Sequence, residues 1–306
     1  MLMHARADVL ATIAAGTAAA VRDRELRGAA GRAAAESLAR GSGWSVSDVV
    51  CTCGPGDRAF EEVHRQQSIG VVLSGTFQHR SRDGRHVMSA GAFLLGNPGD
   101  GYECDHEYAS GDRCVAFHYS TEYIERIAAE LAGRNVQPRF GASRLPPARA
   151  LSRAVARTAI ALSQPDRAAW NELAVRVAVT ALSFDTGRTV RHAAPPSAVV
   201  RRITEQVRAI ELDPSSDASL DSLAAAARLS PFAYLRTFEQ LTGATPHQLL
   251  LRARLRRAAV RLETDSTKVI DVALSSGFGD VSNFNKSFRA EFGVTPTQYR
   301  RAMVSA

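Results

Sequence analysis

Two sets of side chains in this sequence have the types and spacing to do chemistry. The first is a group of metal-ligating residues in the first half: His64, Cys104 and His106, with Cys114 further along. Thiolate and imidazole together suit zinc or another transition metal of similar softness. Cys104 and His106 fall on one face if their segment is a strand. The same residues suit better a barrel interior that holds no ligand. Cys51 and Cys53 also share a strand face, and there the expectation is core filling. The second set lies near the C-terminus: Arg236 in one stretch, and Ser282, Asn283 and Lys286 in another. Cations and amides on an exposed helix face reach base edges in a major groove, and an apolar neighbour such as Phe232 can touch a thymine methyl.

The elements that must position this second set are written in a repeat. The stretch GFGDVSNFNKSFRAEFGVTPTQYR (277–300) ends in F-x₄-G-x-T-P-x-Q, a pattern that also occurs in FEQLTGATPHQLL. Phe238 and Phe288, Gly243 and Gly293, Thr245 and Thr295, Pro246 and Pro296, and Gln248 and Gln298 share one offset of 50 residues. One fixed offset indicates one structural unit used twice. The first copy predicts a helix over 220–228, a turn at Leu229-Ser230, and a second helix capped by Ser230 with Pro231 in its first turn, stopping at Gly243. The second predicts a helix over 269–276, a turn at 277–279 that is one residue longer, and a helix over 280–292. One long helix over 246–263 joins them. Helix, short turn, helix is the helix-turn-helix plan.

At about 100° per residue, Tyr234, Phe238 and Leu241 share one side of the first recognition candidate, opposite Phe232 and Arg236. In the second, Val281, Phe284, Phe288 and Phe292 oppose Ser282, Asn283 and Lys286. Arg236 and Lys286 hold equivalent places, each two residues before the shared Phe.

From about Val199 to Met303 the chain resembles the DNA-binding domain of AraC/XylS-type transcriptional regulators. The residues that carry the resemblance are Gly277-Phe278, Phe284, Lys286, Phe288-Arg289, Gly293, Thr295-Pro296 and Tyr299-Arg300. It implies seven helices and two helix-turn-helix units inserted into successive major grooves on one face of double-stranded DNA. The first unit departs from the pattern at Leu235 and Thr237, positions more often polar and apolar respectively.

Residues 44–119 have a different texture, with short β-rich runs such as SIGVVLSG and AFLLGN punctuated by GPGD, RDG and NPGDG. They predict an antiparallel barrel or sandwich, with a hairpin turn at Asp83-Gly84. Helices follow over 121–133, capped by Ser120, and over 147–162 and 166–184, packing on the barrel or pairing with a second subunit. The expected fold is therefore α+β: an antiparallel barrel with appended helices over 44–185, a Pro-containing linker over 186–198, and an all-α double helix-turn-helix domain over 199–306. Residues 1–43, rich in Ala and Arg and ending in GSG, are open between a loose helix, a disordered arm and an overextended start. No function attaches to them.

In the family the chain resembles, the DNA-binding domain is often preceded by a cupin-like barrel that binds a small-molecule effector, and then by dimerisation helices. The order here is similar, and GAFLLGNPGDGYECDH (91–106) resembles such a barrel. Metal-binding cupins carry an HxH motif that this chain lacks. Glu62 and His64 stand where such ligands would fall, and Tyr102 replaces the later His.

Composition bounds these readings. A chain of 306 residues is long enough for two domains with separate cores. Its 45% hydrophobic and 23% charged content is that of a soluble protein, and no apolar run approaches the ~18 residues of a membrane span. No secretory signal is evident. A net charge of +7 and pI of 9.7 permit a polyanionic partner. Lys268 and Lys286 are the only lysines, so arginine carries the positive charge. Four cysteines are too few and too uneven for a disulfide framework, which points to a reduced, cytoplasmic protein. The expected function is sequence-specific, effector-responsive transcriptional regulation, with DNA, an effector, a second copy of the chain and RNA polymerase as partners and no membrane. The alternative is a cupin-type metal-dependent enzyme, or a metal or thiol sensor, with an attached DNA-binding domain. Catalysis would need a metal triad or an acid/base pair in a pocket, and neither pattern is clear.

Overall fold

The longest strand organises the N-terminal half. In the computed structural model, which describes residues 9–132, 139–163, 167–184, 194–215, 219–264 and 266–304, β4 (Gln67–Ser81) is buried over almost its whole length, with an apolar centre at Ile69–Leu73 and buried polar side chains such as Gln67, Thr76 and Gln78 on either side. Its first half pairs with β8 (Asp112–Tyr119) and β6 (Phe93–Gly96), and its second half with β5 (Gly84–Ser89) and β7 (Gly101–Asp105). The change of partners follows a register break between Val72 and Ser74, and Gly75 sits there at φ +83°. A Cβ on Gly75 would lie 2.3 Å from the Gly111 carbonyl, so only glycine permits this corner. β1 (Ala33–Gly41) and β2 (Trp44–Cys51) extend one sheet beyond β8, β9 (Arg144–Leu145) closes its far edge, and β3 (Phe60–Val63) edges the other. Every pairing is antiparallel.

Helices α2 (Thr121–Ala132), α3 (Arg149–Ser163) and α4 (Arg167–Phe184) pack back onto this barrel. Trp170 lies against Phe117 at 6.3 Å between ring centroids, and the Tyr119 hydroxyl donates to the Ala174 carbonyl at 2.8 Å. The expected cap is in place, since Ser120 Oγ accepts the Tyr123 N–H at 3.3 Å.

The N-terminal segment selects among the open readings. Over residues 9–43 the helix reading holds as α1 (Val9–Leu26), and β1 (Ala33–Gly41) starts the barrel before residue 44. Val9, Ile13, Thr17 and Val21, four residues apart, form the buried stripe of α1, and Thr17 Oγ1 meets Ser74 Oγ at 2.9 Å. β1 is Ala-rich and mostly exposed, with little strand signal of its own; it is held by the ladder to β2. The GSG at 41–43 is the hairpin turn between them, with Gly43 at φ +84°.

The C-terminal half is helical throughout: α5 (Ser197–Leu212), α6 (Leu220–Ala227), α7 (Pro231–Thr242), α8 (Pro246–Thr264), α9 (Val269–Ser275), α10 (Val281–Phe292) and α11 (Pro296–Val304). α5 begins inside the expected 186–198 linker, most of which falls outside the described residues. Its buried residues Val200, Ile203, Val207 and Ile210 recur at helical spacing. The two halves touch along α8 and α5. Arg252 donates to the Pro147 carbonyl at 2.7 Å, Arg157 bridges Glu263 at 3.2 Å, and Gln78 of β4 donates to Thr204 of α5 at 2.9 Å.

Candidate nucleic-acid interface

Most of the repeated positions hold helix ends, and the repeated Phe238 and Phe288 fill the core. Ser230 Oγ accepts the Ala233 N–H at 3.3 Å to start α7, and Asp280 accepts the Asn283 N–H at 2.7 Å to start α10. Both helices stop at a left-handed glycine, Gly243 at φ +77° and Gly293 at φ +81°. Thr245 and Gln248 then form a reciprocal capping box at 3.0 and 3.1 Å, and Thr295 and Gln298 repeat it at 3.0 and 3.2 Å. The turns match as well. The Leu229 N–H reaches the Ala224 carbonyl at 3.0 Å, and Phe278 reaches Ala273 at 3.2 Å. The residue before each is left-handed, Arg228 at φ +57° and Gly277 at φ +92°.

These caps fix which face each recognition candidate buries. Tyr234, Phe238 and Leu241 are buried on α7, and Phe284, Phe288 and Phe292 on α10. The Tyr299 hydroxyl donates to Glu263 at 2.6 Å beneath α10; burial pushes that carboxyl up, partly offset by this bond and by Arg157. Arg236, Ser282, Asn283 and Lys286 are exposed on the opposite faces. The side chain of Phe232 lies outside the described residues. Two further exposed cations, Arg228 in the turn and Arg289 one turn beyond Lys286, extend the basic faces. Sequence reading used Arg289 only as part of a pattern; its spacing of three from Lys286 is the signal that places it there.

The C-terminal ends of both helices are occupied by docking. The Thr242 carbonyl at the end of α7 accepts from Arg144 at 3.0 Å. Glu291 near the end of α10 accepts the Ser152 hydroxyl and lies 3.8 Å from Arg252. The N-terminal halves carrying Arg236 and Lys286 are left to solvent. Beside α8 a cavity of about 520 Å³ opens between α1, β4 and α5. Its wall includes Arg256, 3% exposed, which pairs with Glu211 at 3.0 Å.

The candidate metal ligands are rearranged relative to the sequence reading. His64 Nδ1 bonds the Ser68 hydroxyl at 2.9 Å, its ring stacks on Tyr102 at 4.4 Å, and burial lowers its pKa. Cys104 is packed with Phe77, Met88 and Cys114 in a small apolar cluster. His106, just past the end of β7, joins neither; the structure gathers it with Cys51 and Cys53 instead. The expected trio His64, Cys104 and His106 is therefore not one site, because β7 ends between Cys104 and His106. Cys51 and Cys53, read from sequence as core filling, are the residues the structure places beside His106; their C-x-C spacing was the available signal.

Comparison with known proteins supplies the family. Residues 47–177 match the AraC-like ligand binding domain and residues 223–302 a helix-turn-helix domain. The regulator MtrA of Neisseria gonorrhoeae is 31% identical over 101 residues, covering 33% of this chain and 34% of MtrA. The transcriptional activator NphR of Rhodococcus is 40% identical over 89 residues, covering 28% of this chain and 25% of NphR. These matches span about a third or less of the relatives' own length. Among solved structures, the DNA-binding domain of AdpA, in complex with a target DNA, is 31% identical, covers 34% of this chain and 94% of that one, and superposes with a TM-score of 0.33. With a ligand-binding domain and a helix-turn-helix domain of matching description in sequence, the chain belongs to the AraC family.

Proposed function

We propose that the chain is an effector-responsive transcriptional regulator that reads DNA with α7 and α10 in successive major grooves. The observation that carries this reading is the equivalence of the two units. The same caps and capping boxes bury the same aromatic face, leaving Arg236 and Lys286 exposed at matching positions. Arginine and lysine so placed contact bases or phosphates depending on insertion depth. The regulator reading is preferred to the cupin-enzyme reading because the matched relatives are regulators. No described helix is long and apolar enough to cross a membrane, which accords with a cytoplasmic site of action. A second copy of the chain and RNA polymerase complete the proposed set of partners, and the cavity beside α8 is the proposed place for an effector to act on both halves.

Footprinting of the full chain on its own upstream DNA, with unrelated competitor DNA present, tests the reading. The expected result is two protected patches one helical turn apart on one face of the duplex. Protection that vanishes equally on all sequences as competitor is added would overturn sequence-specific recognition.

A further inference from the structure

We infer that Cys51, Cys53 and His106 bind a transition metal ion of the zinc type, with Asp112 holding the imidazole in place. One ring nitrogen of His106 and the two thiol sulfurs lie within 4.8 Å of one another. All three residues are buried, at 2%, 5% and 3% exposure. Ligand atoms on a tetrahedral zinc sit about 2.0–2.3 Å from the metal, so a small inward movement of this group supplies three of the four tetrahedral ligands, with the fourth position open to an exogenous ligand.

The state of His106 points to a ligand. Its Nε2 is bonded to Asp112 Oδ1 at 2.7 Å, while Nδ1 is buried with no hydrogen-bond partner. A buried, unpartnered ring nitrogen is costly in a protein interior. A carboxylate bonded to the far nitrogen is the usual support for a metal-binding histidine, because it fixes the tautomer and directs the other lone pair outward. The second Asp112 oxygen accepts from the Cys114 thiol at 3.3 Å, so the carboxylate is itself held.

The backbone around the cluster is equally constrained. Cys51 and Asp112 are opposite one another in the β2–β8 ladder, and the Gly111 N–H donates to the Cys53 carbonyl at 2.8 Å. Asp57 accepts the Gly31 and Gly54 N–H groups at 3.0 and 2.9 Å, and Arg24 of α1 reaches both Asp57 and the Thr52 carbonyl. The loop bearing Cys53 is thus tied at both ends. Two thiolates with a neutral imidazole carry the charge that balances a divalent cation, and this donor set favours zinc over magnesium or calcium. The competing occupant is a disulfide. Cysteines two apart on extended backbone stand about 6.6 Å apart at Cα, near the upper limit for a disulfide.

The test uses the full chain purified without chelator from zinc-supplemented cells, with elemental analysis and thiol counting. About one zinc ion per chain is expected, together with thiolate-to-metal absorption when Co²⁺ replaces zinc. Cys53→Ser and His106→Ala should lose the metal, whereas Cys104→Ser, at an equally buried thiol outside the cluster, should keep it. Melting curves identify any variant that fails to fold. Asp112→Asn, which preserves shape, should weaken zinc affinity by about 10–100-fold. The inference is overturned if reduced, chelator-stripped protein takes up neither Zn²⁺ nor Co²⁺, if Cys53→Ser binds zinc as tightly as the parent, or if a Cys51–Cys53 disulfide forms in place of metal uptake.

Discussion

The first helix-turn-helix unit, α6 and α7, closes its core on Val200, Ile203 and Val207 of α5, with Val87 of the barrel in the buried cluster and Tyr108 packed against it. The second, α9 and α10, shares its core with α3, so that Phe284, Phe288 and Phe292 belong to the same apolar body as Leu151 and Val155. The caps of the two units are interchangeable, yet their attachments differ. Unit one meets the N-terminal half at β5 and through Arg144 on the Thr242 carbonyl, and α5 behind it through Gln78 on Thr204. Unit two meets it through a shared apolar core, with the Ser152 hydroxyl on Glu291 at its edge. Local cap chemistry therefore defines the reading element, while the residues behind it decide what can move that element. A displacement of α3 acts on α10 through a shared core, whereas α7 rests against the barrel at β5 and β9.

The largest test of this contrast is a pair of core truncations. Phe238→Ala and Phe288→Ala should each cost about 3–5 kcal/mol. Both tryptophans, Trp44 and Trp170, lie in the N-terminal half. Tryptophan fluorescence should therefore show earlier melting in Phe288→Ala, whose cavity opens onto the α3 core, and a smaller shift in Phe238→Ala. Equal shifts would erase the distinction between the two attachments.

Next come the exposed cations. Arg236→Ala and Lys286→Ala should each remove about 1–3 kcal/mol of specific binding, in separate half-sites. An equal loss on every sequence, with a shallower salt dependence, would assign both side chains to phosphates. Parent-like affinity and specificity in both variants would show that the faces are wrongly assigned.

The turns give a smaller effect of opposite sign. Gly277→Ala places a Cβ at φ +92°, 2.8 Å from Arg254 Nε and 2.9 Å from Ser215 Cα. It should destabilise by more than about 1 kcal/mol. Arg228→Gly relieves a left-handed cost of about 1–2 kcal/mol against a glycine entropy cost of about 0.5–1 kcal/mol. Thermal melting should show a small gain. A shared effect of similar size comes from the capping boxes: Thr245→Ala and Thr295→Ala should each cost about 1 kcal/mol as lost caps. Unequal losses in melting would mean that the two capping boxes are not equivalent.

The DNA-reading half was legible because its signals are local. Ser230, Gly243 and the Thr245–Gln248 box each act within a few residues of themselves, so spacing alone places the helix ends. The cysteine cluster was not legible for the opposite reason. His106 reaches Cys51 only because Asp112 is opposite Cys51 in the β2–β8 ladder, and that pairing spans half a domain of sequence. β1 failed for a related cause, since AAAESLARG has no strand propensity and becomes a strand through its neighbour. The four-residue stripe of α1 was present in the sequence, but its meaning depends on the barrel strand and α8 that cover it.

The connecting helix α8 has a consequence of a mechanical kind. Its 19 residues make an axle about 28 Å long, somewhat shorter than one turn of duplex DNA at about 34 Å. Both reading heads are mounted on it, so its length sets their separation and its winding sets their relative angle. One inserted residue would turn the second head by about 100° and advance it by only about 1.5 Å. Angular phase, rather than distance, is then the quantity this helix controls, and an operator is matched to it as one gear is cut to another.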